Sequence, residues 1–280
     1  MYNVGIIGLG FVGGATSRAF AQYANVRVYD KYKNIGTIKE VAEQAVVFVC
    51  VPTPMRADGS CDTSIVESVV ADLSTFPNAD REVVIKSTCP PAFFSKLQAT
   101  YPLAGTIIFN PEFLTERTAD LDFIQSTRFI FGVELPNAAA KFIVLKLHEE
   151  RFPGTRLAVM HWEEAAMVKY GCNVFFTVKL SFFNELARVC EKLNGFTSFP
   201  TVINEILQDG RIGRSHFQVP GHDGDKGWGG VCFPKDNRAF SIFAKELCVN
   251  SHMADAAWQV NQEVRSDRNW EKEKGRAVSE

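Results

Sequence analysis

The first 150 residues of this 280-residue chain alternate short β-rich runs with stretches of helical pattern. Turn residues follow the runs, in sequences such as GLG, PTP and NPE. The β-rich runs cover residues 3–7, 26–29, 46–51, 83–86, 107–110 and 129–132. Strands separated by helices are typical of a mainly parallel, doubly wound sheet with helices on both faces. The pattern therefore predicts an α/β domain over residues 1–160.

A glycine-rich turn, of sequence GLGFVG, follows the first strand and opens the first helix. Such glycines make a tight turn, admit a pyrophosphate close to the backbone and allow close helix–sheet contact, while the helix N-terminus faces the phosphates. About 20 residues after Gly10, Asp30 ends the second strand, where a carboxylate can bind a ribose 2′-OH. This Rossmann-like pattern predicts NAD rather than NADP, because no Arg directly follows Asp30. The alternative is a glycine-rich turn without a cofactor. The predicted dinucleotide-binding residues are Gly8, Gly10, Phe11, Val12, Gly13 and Asp30.

A different pattern begins near residue 160. Residues 162–194 contain no Pro and a single Gly, and Gly195 suits a C-cap. At 1.5 Å per residue, the run predicts a helix of about 45–50 Å. Apolar residues surround much of it, so we expect burial on several sides, between two domains or in a subunit interface. With the helical sequence that follows, it predicts an all-helical domain over 161–265 and a polar, frayed tail over 266–280.

One cysteine lies where its thiol can react. Gly229 and Gly230 precede Cys232, and Pro234 suits the first turn of a following helix. A helix N-terminus and a neighbouring Lys235 both favour the nucleophilic thiolate. The alternative is that Cys232 is an unreactive, small buried residue in front of a helix.

Polar residues interrupt the apolar pattern at two further places. Lys169 and Asn173 are four apart on the long helix and hence on one face. Such a pair can stabilise a developing oxyanion, although two solvated helix residues are the alternative. Three polar loops, at 51–54, 87–90 and 110–116, follow strands, and ligands bind at this edge of doubly wound sheets.

The amino-acid composition limits the classes of partner that we expect this protein to bind. The formal charge of −2 gives no overall attraction to nucleic acid or to an acidic membrane. Seven cysteines without a C-x-x-C pair predict neither a disulfide framework nor a zinc site, and no metal is expected. The first ten residues read as a strand and not as a signal peptide, and no apolar run is long enough to span a bilayer. We therefore expect a cytoplasmic protein that binds a small molecule.

Eight segments, taken in order, resemble one family. They are GLGFVG at 8–13, VPTP at 51–54, KSTCPP at 86–91, FNPEFLTERTADLDF at 109–123, VKYGCN at 168–173, KLSFFNEL at 179–186, GRIG at 210–213 and GGVCFPKD at 229–236. The family is that of the UDP-glucose/GDP-mannose dehydrogenases, and the resemblance is greatest to its UDP-glucose 6-dehydrogenase branch. Two NAD+ are reduced there while the C6 alcohol of a nucleotide sugar becomes a carboxylate.

The resemblance implies a role for each matching residue. Cys232 would form a thiohemiacetal and then a thioester, with Lys169 and Asn173 stabilising the oxyanion. Asp236 would hold water near the thiol. The groups that would position the catalytic water are Glu116 and Thr88. The residues beside the cofactor would be Val51, Pro52, Thr53, Thr88, Glu116 and Lys235. The sugar-nucleotide contacts would be Glu112, Phe113, Leu114, Glu116, Lys169, Asn173, Arg211, Phe217, Gly227, Trp228 and Gly229.

Two departures from the family pattern leave alternatives open. The loop at 220–227 is longer and more charged, and its Lys226 is expected to meet a phosphate. The sequence also stops where the family's third α/β domain would begin. A working UDP-glucose dehydrogenase is the first hypothesis, with GDP-mannose as the competing substrate. A non-catalytic NAD-binding dimer is the second, and a single-step hydroxy-acid dehydrogenase that needs Lys169 but not Cys232 is the third. In the family, the helix that corresponds to residues 162–194 forms the subunit interface. We therefore expect a homodimer here.

Overall fold

The computed structural model describes residues 1–136, 142–193, 195 and 197–280. They form two compact units. The first unit comprises Met1–Thr53 and Asp62–Lys169, and the second comprises Pro54–Cys61 and Tyr170–Glu280.

A seven-stranded sheet forms the centre of the first unit. Its strands are β1 (Tyr2–Ile7), β2 (Ala24–Tyr29), β3 (Val46–Val49), β4 (Glu82–Ile85), β5 (Thr106–Phe109), β6 (Arg128–Val133) and β7 (Arg156–His161). Their order is β2-β1-β3-β4-β5-β6-β7, and every neighbouring pair is parallel except β5 with β6. The predicted doubly wound α/β sheet is confirmed. The sequence analysis did not predict β7, an edge strand in which Arg156 is exposed and the other residues are only partly buried.

Helices cover both faces of this sheet. They are α1 (Phe11–Phe20), α2 (Ile38–Ala42), α3 (Ser64–Ser74), α4 (Phe93–Thr100), α5 (Ala119–Ile124) and α6 (Ile143–Arg151). Alternate residues of one strand enter opposite cores, as Val47 and Val49 lie in one cluster while Val46 and Phe48 lie in the other. Two buried faces explain why the central strands read as continuous apolar runs.

The second unit is helical. The helix α7 (Trp162–Lys192) begins in the first unit and ends in the second, and it is followed by α8 (Phe199–Ile206), α9 (Phe233–Glu246) and α10 (His252–Val264). The predicted helical part is thus confirmed, while the predicted end of α7, Asn194, lies outside the described residues. A small core of Phe183, Phe199 and Ile203 joins α7 to α8.

The C-terminal segment is ordered by contacts, contrary to the expectation of a frayed tail. Trp270 and Ala277 are each only 1% exposed. The Met55 N–H donates to the Ala277 carbonyl at 2.8 Å, and the Ser279 N–H donates to the Met55 carbonyl at 2.9 Å. Apolar residues spaced among the charges of this segment pack into the second unit. Across the described residues, every helix is too short or too polar to cross a membrane.

Candidate functional site

The glycine-rich turn between β1 and α1 has the geometry that a dinucleotide requires. Gly8 has φ +87°, and a Cβ there would lie 2.6 Å from the Cys50 carbonyl oxygen. A Cβ on Gly13 would collide with the Gly8 carbonyl oxygen. The protein itself therefore excludes side chains at both positions.

Gly10 differs from the other two glycines. A Cβ at Gly10 would meet no atom of the described residues within 4 Å, so open space lies before it. Gly10 is also the N-cap of α1 and has no side chain to cap the helix. The first N–H groups of a helix have no partner within it, and they attract phosphate. The residues present therefore fit the pyrophosphate of NAD.

The Asp30 carboxylate accepts hydrogen bonds from the protein backbone, apart from the ribose contact that the sequence predicts. Its Oδ2 accepts a hydrogen bond from the Leu9 N–H at 2.8 Å, and its Oδ1 accepts from the N–H groups of Tyr32 and Lys33, each at 3.0 Å. The Lys33 ammonium donates in turn to the Leu9 carbonyl at 2.7 Å. A carboxylate offers about four acceptor positions, so three backbone bonds leave room for a ribose hydroxyl. Asp30 thus fixes the glycine-rich turn, and its ribose contact stays a prediction.

Lys169 and Glu112 form a buried pair in the first unit. Lys169 is 3% exposed, and its ammonium donates to the Glu112 carbonyl oxygen at 2.5 Å and to Glu112 Oε1 at 3.1 Å. The other carboxylate oxygen accepts from the Leu114 N–H at 2.6 Å, and the Phe113 ring lies 5.3 Å from the ammonium. The alternative of a solvated Lys169 is therefore wrong. Four predicted site residues, Glu112, Phe113, Leu114 and Lys169, lie together here.

Two neighbours of this pair were not predicted as site residues. Lys86 follows β4, is 3% exposed and donates from Nζ to Asn110 Oδ1 at 2.8 Å. Burial lowers the pKa of Lys86 to about 8, with Lys169 also lowering it while Cys50 and Glu112 raise it. Asn110 follows β5, is fully buried and donates from Nδ2 to the Ile130 carbonyl at 2.8 Å. The sequence signal for Lys86 is a lysine directly after an apolar strand run, which marks the residue but not its bond to Asn110.

The remaining predicted residues of the first unit line the carboxyl ends of its strands. The Ser87 hydroxyl donates to the Val51 carbonyl at 2.6 Å and ties two of the loops together. Thr53 and Thr88 are buried, whereas Glu116 is exposed in a short 3-10 helix at Glu116–Thr118. Pro52 stands between Val51 and Thr53 in the same loop. Burial raises the pKa of Cys50 to about 12, which keeps this thiol neutral.

In the second unit, Cys232 is the N-cap of α9, and Pro234 stands in the first turn as predicted. One carboxylate lies within this turn, because Asp236 is 1% exposed and its N–H donates to the Cys232 carbonyl at 3.0 Å. Asp236 Oδ2 accepts from Asn173 Nδ2 at 2.6 Å, and Oδ1 accepts from Lys235 Nζ at 2.6 Å. The structure thus brings Asn173, Cys232, Lys235 and Asp236 together.

The positive charge of Lys235, beside Cys232, is stabilised by its neighbours. Burial disfavours the ammonium of Lys235, yet the Asp236 carboxylate and negative charge on the sulfur atoms of Cys232 and Cys61 raise its pKa above the ordinary value. A protonated lysine near a half-buried thiol at a helix N-terminus favours the thiolate.

The next predicted substrate contacts are Gly227, Trp228 and Gly229, which lie in the second unit. The Trp228 ring is 2% exposed and donates from Nε1 to the Ser181 hydroxyl at 2.9 Å, so its side chain belongs to the core. The backbone of Gly227 is held by Asn184, and Gly229 follows directly. Lys226, expected at a phosphate, forms an ion pair with Glu191 at 2.7 Å.

Arg211 and Phe217 complete the predicted set. The Arg211 side chain is 90% exposed and pairs with Asp209. Phe217 packs on the small core of the second unit. Within the described residues, no group of three His, Cys, Asp or Glu side chains could hold a metal ion.

A mainly parallel sheet with an uncapped glycine-rich turn defines a dinucleotide-binding protein. Residues 25–150 match the NAD binding domain, and residues 163–263 the central domain, of the UDP-glucose/GDP-mannose dehydrogenase family. The chain belongs to this family. The predictions of the family and of NAD as its cofactor are confirmed.

Relatives support the same assignment. A UDP-glucose 6-dehydrogenase of Rickettsia bellii is 31% identical over 80% of this chain and 51% of its own length. One of Rhizobium meliloti is 31% identical over 79% and 51%. A solved UDP-glucose dehydrogenase of Pyrobaculum islandicum superimposes with a TM-score of 0.82 and 27% identity, over 94% of this chain and 68% of that one. The chain spans about half the length of the curated relatives it matches.

Proposed function

We propose that the protein oxidises a nucleotide sugar at C6 with NAD+, with UDP-glucose as the first substrate to test and UDP-glucuronate as its product. The hydrogen-bonded set of Asn173, Asp236 and Lys235 around the start of the Cys232 helix carries the proposal. The names of the Rickettsia and Rhizobium relatives support the choice of UDP-glucose.

The chemistry proceeds in two oxidations. Bound NAD+ supplies the acceptor for each of two hydrides. The substrate alcohol loses a hydride and a proton and becomes an aldehyde. The Cys232 thiolate adds to the aldehyde carbon, and the resulting oxyanion takes a proton to give a thiohemiacetal. Loss of that proton and of the second hydride leaves a thioester. Water then cleaves the C–S bond, releasing the carboxylic acid and restoring the thiol.

The surrounding residues have distinct parts in this scheme. The Lys169 ammonium and the Asn173 amide donate hydrogen bonds to the developing oxyanion. The amide of Asn173 carries two N–H bonds, of which one is donated to Asp236. Asp236 holds water near the thiol, and Thr88 with Glu116 positions the water that cleaves the thioester. Lys235 keeps positive charge beside Cys232.

The test compares Cys232→Ala with Cys248→Ala, which removes an exposed thiol outside the proposed site. Each protein is incubated with NAD+ and UDP-glucose, then with GDP-mannose, and uronate is measured by chromatography. The wild type and Cys248→Ala should form uronate, whereas Cys232→Ala should form none. Uronate from Cys232→Ala would refute the thioester route, and no NADH with any nucleotide sugar would refute the activity.

We also propose a homodimer formed through α7. Phe175, Phe182 and Val189 are 61%, 56% and 56% exposed, and their seven-residue spacing places them on one face of the helix. An exposed apolar stripe of this length suits a second copy of the chain. Sedimentation at micromolar concentration should show a dimer that Phe182→Asp converts to a monomer. A monomeric wild type would contradict the proposal.

Among the described residues no disulfide joins any two of the seven cysteines, which supports the proposal of a reducing compartment such as the cytoplasm.

A further inference from the structure

The chain that leads into Cys232 is held by side-chain amides of the second unit. The Asn184 side-chain oxygen, on α7, accepts from the Gly227 N–H at 2.9 Å. On α10, the Asn261 side chain accepts from the Trp228 N–H at 2.7 Å and donates to the Trp228 carbonyl at 2.9 Å. Asn184 is 1% exposed and Asn261 is fully buried. These bonds are therefore formed away from water, where their loss is costly.

Asn269 extends this support to the residue two positions before Cys232. Its Oδ1 accepts from the Gly230 N–H at 3.1 Å. A Cβ on Gly229 would lie 2.7 Å from the same oxygen and 2.8 Å from Arg265 Nη2. Both distances are too short for a side chain, so Asn269 and Arg265 occupy the space that a side chain at position 229 would need. The protein's own contacts thus require Gly229, before any substrate is considered.

Arg265 is a buried cation that joins this turn to the charged loop at 220–227. Its side chain is 3% exposed, and its guanidinium lies 2.6 Å from Asp223 Oδ2 and 3.5 Å from Asp225 Oδ2. The same Asp225 oxygen accepts from the Asp267 N–H at 2.8 Å, and the Asp267 carbonyl accepts from Arg265 Nε at 2.8 Å. The buried charge is therefore paired, and the loop is fixed to the segment that follows α10.

The segment that carries Asn269 is anchored by its neighbour Trp270. The Trp270 ring is 1% exposed, and its centre lies 6.1 Å from that of Trp258 on α10. The Trp258 ring also lies 5.8 Å from the ring of Trp228. One aromatic ring thus contacts both the turn before Cys232 and the segment after α10. Because of this packing, Asn269 presents its oxygen to Gly230 from a fixed position.

We propose that Asn269 is a positioning residue, which holds the turn at 229–230 so that Cys232 meets the aldehyde in the geometry for attack. The inference rests on the proposed function, in which Cys232 acts only after the first hydride has left the sugar. The first oxidation therefore does not need the turn, whereas the second does. A displacement of about 1 Å can slow an attack about a hundredfold. Loss of the Asn269 oxygen should consequently let aldehyde leave before Cys232 adds to it.

The test measures NADH and uronate together during the first turnovers with excess UDP-glucose, so that released aldehyde does not rebind. An aldehyde that leaves has yielded one NADH and no uronate, so its release raises the NADH-to-uronate ratio above the ratio of about two expected for the wild type. Asn269→Ala should give a ratio of about three or more, which corresponds to release of about half of the aldehyde. A variant with less folded enzyme would form less of both products without a change in their ratio.

Two control variants separate the acceptor from the rest of the side chain. Asn269→Asp keeps an oxygen that can accept from the Gly230 N–H, so its ratio should stay at about two. Asn250→Ala removes an exposed asparagine side chain of the same unit and should also give a ratio of about two. A ratio of about two in Asn269→Ala, or equal ratios in Asn269→Ala and Asn269→Asp, would overturn the inference.

Hydrogen exchange provides a second readout, which needs no turnover. The Gly230 N–H should exchange about tenfold faster in Asn269→Ala than in the wild type, because its acceptor is gone, and at about the wild-type rate in Asn269→Asp. An unchanged exchange rate in Asn269→Ala would also overturn the inference. If the wild type forms no NADH with any nucleotide sugar, the proposed function fails, and hydrogen exchange alone then decides whether Asn269 holds the turn.

Discussion

Acid should destabilise the first unit through one buried histidine. His148 on α6 is fully buried, with the rings of Phe20, Phe129 and Phe131 within 5.1 Å of its own. Its Nδ1 bonds the Val144 carbonyl oxygen at 2.8 Å, and its buried Nε2 has no hydrogen-bond partner among the described residues. The imidazolium would be costly in this apolar cage, so burial lowers the pKa of His148 to about 3.

The size of the effect follows from that pKa. Because the folded-state pKa lies below the ordinary value of 6.5, the unfolded chain takes up the proton first as the pH falls. Below pH 6.5, each pH unit therefore removes about 1.4 kcal/mol from the free energy of unfolding. The loss amounts to about 2 kcal/mol at pH 5 and continues towards pH 3.

The assay compares wild type, His148→Leu and His252→Leu, the last of which removes an exposed histidine. Urea unfolding followed by circular dichroism gives the free energy of unfolding at pH 7, 6 and 5. Between pH 7 and 5, the wild type should lose about 2 kcal/mol more than His148→Leu, and His252→Leu should follow the wild type. Parallel curves for wild type and His148→Leu would refute the reasoning.

Three further predictions concern the two site regions. Gly10→Ala should weaken NAD binding, measured by calorimetry, about tenfold or more while changing the urea midpoint little, since a Cβ there meets no protein atom but obstructs a pyrophosphate. Asp236→Ala should lower the free energy of unfolding by about 3 kcal/mol, because it leaves Lys235 and Asn173 without a buried partner. From pH 8 to 10 the free energy of unfolding should gain about 2 to 3 kcal/mol from Lys86, whose folded pKa of about 8 lies below the ordinary 10.5, and Lys86→Met should lack this gain.

The central strands of the sheet, which are buried on both faces, were readily predicted from the sequence. Val46 to Val49 enter alternate cores, and so the strand reads as an unbroken apolar run. The glycines at 8 and 13 are required by close contacts within the protein itself, so the turn leaves a clear pattern in the sequence. Strand β7 was not predicted, although it has four consecutive apolar residues, Leu157 to Met160, which are partly buried at the edge of the sheet.

Side-chain partners were harder to predict. A lysine at the end of a strand does not reveal that its ammonium will turn inward to Asn110, as Lys86 does. The ribose contact of Asp30 stays a prediction, but the sequence did not show that three backbone N–H groups donate to its carboxylate. The sequence placed Trp228 at the substrate, a contact that stays a prediction, but it did not show that the ring lies beside Trp258 and donates to Ser181. The contacts of Lys86 and Trp228 join residues that are distant in the sequence, and sequence spacing does not encode them.

The most direct test of the proposed chemistry is the ratio of NADH formed to UDP-glucose consumed. The reaction is run with limiting UDP-glucose and excess NAD+. NADH is followed by its absorbance at 340 nm, and the sugar nucleotides are quantified by chromatography. Two oxidations through a Cys232 thioester predict a ratio of about two, with UDP-glucuronate as the product. A ratio of about one, with an aldehyde or ketone as the product, would contradict it.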